Sequence, residues 1–149
     1  MIRTIVFVGI LGALLLIPST TVIAQGYQSP SRERVETLLE KLNVCMDVLK
    51  DLEQDIAYME SNPGKYTLEQ YQDAKTYKKM AEGCIADTRN ELDHLRKDYP
   101  GWFNSGSATV DLGKGHAISA NDLNARWDAI AKKMDKLLNR LNKISKPTQ

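Results

Sequence analysis

The chain holds only two cysteines, two histidines, two tryptophans and two phenylalanines in 149 residues, and these shortages remove several kinds of chemistry. Cys45 and Cys84 stand 39 positions apart, without the Cys-x-x-Cys spacing that tunes a redox pair or the Cys-x-x-Cys-His of haem attachment. No Gly-x-Ser-x-Gly elbow presents a nucleophile. Gly113-Lys114-Gly115-His116 sets glycines beside a lysine but lacks the spacing of a phosphate loop. Carboxylates are plentiful, yet they alternate with bases as on solvated helical faces. With no converging acid, base and nucleophile, the sequence argues against an enzyme, and no cofactor is expected.

Long apolar runs are also missing. The longest, Ile5 to Ile17, has 13 residues, whereas a membrane-spanning helix needs roughly 17 to 25. Arg3 precedes the run, Pro18-Ser19-Thr20-Thr21 ends it, and Val22-Ile23-Ala24 offers small-residue spacing for cleavage before Gln25. Residues 1–24 therefore read as a secretory signal peptide. The expectation is an extracytoplasmic protein, periplasmic or secreted, with no stable membrane insertion once the signal is removed. Residues 25–149 would then form a single helical-bundle domain. A surplus of either charge is lacking too. Losing Arg3 leaves 19 basic residues against 19 acidic ones, a balance that argues against nonspecific nucleic-acid binding.

Helical periodicity is what the chain has in abundance. Val35, Leu38, Leu42, Cys45, Leu49, Leu52, Ile56 and Met59 alternate spacings of three and four, giving a heptad seam over about residues 31–61. Ser29-Pro30 offers a cap and a first-turn proline, and Asn62-Pro63-Gly64 ends the segment. A second helix over about 67–99 opens with the capping-box pattern Thr67-Leu68-Glu69-Gln70. Its seam of Tyr71, Ala74, Lys78, Ala81, Ile85, Thr88, Leu92, Leu95 and Tyr99 is weakened at Lys78 and Thr88. A third, about 119–145, carries Leu123, Trp127, Ile130, Met134, Leu137, Leu141 and Ile144. The expected fold is all-α: an up-down-up, three-helix antiparallel bundle with coiled-coil-like packing.

Cys45 and Cys84 lie 19 residues before and 20 residues after Gly64. Two helices folded back at that break bring them level, so a disulfide is expected to staple the helical hairpin. Charge supports the third helix joining it. Residues 31–62 hold eight acids and four bases, and residues 119–149 hold seven bases and three acids.

Residues 100–118 read as a long loop with four glycines, within which Thr109-Val110-Asp111-Leu112 before Gly113-Lys114-Gly115 matches a short hairpin. Trp102 and Phe103 at its start plug the bundle end or, with Val110 and Leu112, anchor a partner. Glu91-x-x-His94 has helical metal-site spacing, and His116 is the other histidine, but these weak metal candidates fall short of the ligand number of a defined site. Two readings of function follow. The first is an exported, non-enzymatic interaction or structural module whose partner is an unknown extracytoplasmic protein, with homo-oligomerisation through unused helical surface also open. The alternative is a small-ligand or metal carrier that uses the bundle interior, with Lys78 and Thr88 lining a polar pocket, or the His94/His116 end.

Overall fold

The computed structural model describes residues 28–147, so the expected signal peptide lies outside the described residues. Three long helices, α1 (Arg32–Ser61), α2 (Leu68–Asp98) and α4 (Ala120–Leu141), enclose the core. Every α1 seam residue from Val35 to Met59 is buried. On α2 the buried set is Ala74, Ala81, Thr88, Leu92 and Leu95. Fully buried alanines at 74 and 81 let α2 lie close against the leucines and isoleucine of α1.

Cys45 and Cys84 form a disulfide with Cα atoms 5.6 Å apart, joining α1 to α2 near their middles. Arg34 pairs with Asp98 at one end of the same antiparallel interface. On α4, Lys133 pairs with Glu53 and Arg140 with Glu60, so this helix runs parallel to α1.

The expected three-helix all-α fold is incorrect. Residues 100–118 are not a loop: they form a short helix α3 (Pro100–Ser105) and most of a hairpin, β1 (Thr109–Gly113) with β2 (His116–Ser119). Pro100 stands in the first turn of α3, where its missing N–H costs nothing, and Trp102 then turns into the core. The hairpin needs three successive left-handed residues, Gly113, Lys114 and Gly115, with φ of 83°, 53° and 75°. Val110 faces Ile118 across the strands, and both are buried. Gly113 is further constrained, because a Cβ there would lie 2.8 Å from a guanidinium nitrogen of Arg32. The hairpin is thus seated against the start of α1.

Caps fix the long helices. Ser31, rather than Ser29, accepts the Arg34 N–H at the start of α1. Thr67 and Gln70 exchange both capping-box bonds on α2, and Ser119 and Asp122 do so on α4. Thr88, a weak position in the seam, is fully buried and donates its hydroxyl to the Cys84 carbonyl at 2.8 Å. Lys78 reaches outward to Glu82 at 2.6 Å. Neither residue faces a common polar cavity: the first is satisfied inside and the second at the surface.

Replacing Cys45 and Cys84 together by alanine is expected to lower unfolding free energy by about 4 kcal/mol, from the loop that the bond closes. Urea denaturation of the variant and the oxidised parent checks this.

Candidate docking surface

Seen down their axes, α1, α2 and α4 are the corners of a triangle whose three edges differ. Along α1–α2, Arg34 reaches Glu91 and Asp98, and Lys41 reaches Glu91. Along α1–α4, Glu53 meets Lys133 and Arg140, and Glu60 takes a two-pronged bond from Arg140. The hydrogen bond from Lys133 holds the Glu53 carboxyl below its ordinary value, and that from Arg140 does the same for Glu60. No ion pair joins α2 to α4 among the described residues; Arg96 bonds the Asn124 side chain instead. That edge opens into a shallow groove floored by Ile85, Ala86, Met134 and Leu138.

The outer side of the α1–α2 edge, opposite α4, is the most distinctive surface. Helical spacing puts Val44, Asp51, Asp55 and Tyr58 on one flank of α1, with Asp73, Met80, Cys84 and Asp87 on the facing flank of α2. A groove of about 450 Å³ runs here, lined by Thr37, Glu40, Lys41, Val44, Cys84, Asp87 and Thr88. Val44, Tyr58 and Met80 are the large apolar residues left most open, at 57%, 45% and 51% exposure. Apolar surface is therefore concentrated on the two disulfide-linked helices.

Beyond Glu91 and Asp98, which Arg34 and Lys41 engage, the carboxylates named on this side are unneutralised. Asp47, Asp51, Asp55, Asp73 and Asp87 make no ion pair among the described residues. Asp55 is the extreme case. One of its carboxylate oxygens is buried without a hydrogen-bond partner. Burial raises its carboxyl above the ordinary 3.8, and the neighbouring Asp73 and Asp51 raise it further.

The residues singled out in the sequence lie elsewhere. Trp102 is fully buried, packed edge-on against Phe103 with ring centroids 5.1 Å apart. Phe103 is half-buried beneath the Arg96 guanidinium. Val110 is buried in the hairpin, and Leu112 lines a depression with Leu39, His116, Ile118 and Asp122. Of this set, Phe103 and Leu112 keep partial access to solvent. Glu91 is engaged by Arg34 and Lys41. His94 is exposed on α2, while His116 lies in the hairpin depression, which includes neither Glu91 nor His94. No group of three metal-ligating side chains occurs among the described residues.

This outer face escaped the sequence reading. Its signal was present in Val44 and Met80, large apolar residues standing outside the seams. Comparison with family models, curated proteins and solved structures finds no match for this chain.

Two outcomes follow for single variants. Trp102→Ala should cost about 3 to 5 kcal/mol of stability, as for a large core side chain, read as a lower denaturation midpoint. Asp55→Asn should raise Tm at neutral pH. Folding disfavours the charged Asp55, a penalty present above its folded pKa and relieved as pH falls toward 3.8. The Tm advantage of the variant should therefore vanish in acid.

Proposed function

We propose that this protein is an exported, non-enzymatic interaction module that binds another protein through the outer α1–α2 face. The observation carrying this reading is the coincidence, on one disulfide-braced pair of helices, of the exposed Val44, Tyr58 and Met80 with carboxylates that have no partner. Exposed apolar groups rimmed by polar ones are the usual composition of a protein-binding patch. Asp55 supports it: an isolated, partly buried carboxylate destabilises the free protein and gains a partner when a donor arrives. Rigidity supports it as well, since a cross-linked pair of helices loses little freedom on binding.

No helix among the described residues is long and apolar enough to cross a membrane. The module would work outside the cytoplasm, released by cleavage of the expected signal peptide at residues 1–24.

A photo-crosslinking residue placed at Val44 or Met80 in the protein expressed in its own host tests the assignment. A discrete protein adduct is expected at both positions, with none at the exposed Asn104 on α3. Adducts no more frequent at Val44 and Met80 than at Asn104 would remove the face from consideration.

A further inference from the structure

The acid-rich α1 and base-rich α4 neutralise each other only in part. Lys133 and Arg140 turn toward α1 and are used by Glu53 and Glu60. Lys132 and Lys136 fall on the outward side of α4 in line with the exposed Ala125 and Ala129, and neither lysine makes an ion pair among the described residues. Lys143, past the end of α4, lies beside Glu60 and Arg140 instead. The surplus bases therefore sit at the α4 corner of the triangle. The unpaired carboxylates of α1 and α2 sit on the opposite edge, and within one molecule the two surfaces cannot meet.

We propose that the α1–α2 groove is occupied by α4 of a second copy of this chain, so that copies stack head to tail. This rests on the reading of that face as a docking surface and names its occupant. The order of residues along the helices fits one orientation. With the incoming α4 parallel to α1, Ala125 and Ala129 lie against Val44 and Met80, where small side chains admit close approach. Lys132 and Lys136 then come level with Asp47, Asp51 and Asp55. Ala125 to Lys136 and Val44 to Asp55 are each 11 positions apart, about 17 Å at 1.5 Å per residue, so the two rows match in length.

This orientation is also the one α4 already has to its own α1, shown by the pairs Glu53–Lys133 and Glu60–Arg140. Each copy is then related to the next by a near-translation. Such a contact joins different surfaces on the two partners and repeats without closing. The joint itself gains a fourth helix, which buries the open apolar groups and brings ammonium groups to the unpaired carboxylates.

Sedimentation velocity of the full mature chain tests this with two charge-reversed variants, Asp47→Lys/Asp51→Lys and Lys132→Glu/Lys136→Glu. The parent should sediment faster than a monomer as concentration rises. It should return to monomer near 1 M salt, where the screening length is about 3 Å. Each variant alone should associate about tenfold or more weakly, because one of its surfaces now repels the other. An equimolar mixture should recover assembly, since acidic and basic surfaces again meet. Unchanged circular dichroism and Tm would show that both variants are folded. A parent that stays monomeric, variants that associate like the parent, or a mixture that fails to recover would each overturn the proposal. A monomeric parent that still crosslinks from Val44 to a different protein would overturn the second copy as occupant while leaving the docking face standing.

Discussion

The Cys45–Cys84 bond ties α1 to α2 near the midpoints of two antiparallel helices, and the rest of their interface can be counted outward from it. Toward one end the count brings Lys41 to Glu91 and Arg34 to Asp98. Toward the other it brings Asp55 beside Asp73, where no base is available. A shift of one helical turn would expose part of the leucine seam and move the small Ala74 and Ala81 from their places in the core. The covalent bond and the large-to-small packing specify the same register, and this agreement between levels favours one alignment over its neighbours.

The third long helix is held by different means. Its buried residues, from Leu123 to Leu141, supply the adhesion. Its ion pairs with Glu53 and Glu60 involve partly exposed groups and are individually weak, so they select position more than they stabilise it. Because both acids belong to α1, α4 is drawn toward α1 and leaves a shallow gap beside α2. The asymmetry also leaves Lys132 and Lys136 outward. Charge that was complementary in composition became segregated in space once packing decided which residues could meet.

Much of this was legible in the residues. The three seams marked the long helices, and the near-symmetric cysteines marked the cross-link, because helical periodicity and a central break are local properties. The capping box at Thr67 was local as well. The region from Pro100 to Ser119 was not legible to the same degree. Its strands have only five and four residues, too few for an alternating pattern to stand out, and its turn places a lysine between two glycines in left-handed conformation. Trp102 was ambiguous because an aromatic near glycines suits either a plug or an anchor, and only the packing of α3 places it in the core. The outer face was harder still. A seam describes what is buried, whereas the isolation of Asp55 depends on an aspartate from another helix and on the absence of a base nearby.

The position of the cross-link also has a mechanical meaning. The 38 residues between Cys45 and Cys84 form a closed covalent loop, since the bond is the shorter route between its two ends. Tension applied through the chain before α1 and after α4 passes across the sulfur atoms and leaves that loop slack. Stretching can draw out the outer halves of the two helices, the hairpin and α4, but it withholds about 130 Å of contour that the same residues would release if they were not bridged. The tip of the α1–α2 pair, with Tyr58, Asp55 and Asp73, thus lies outside the path of force.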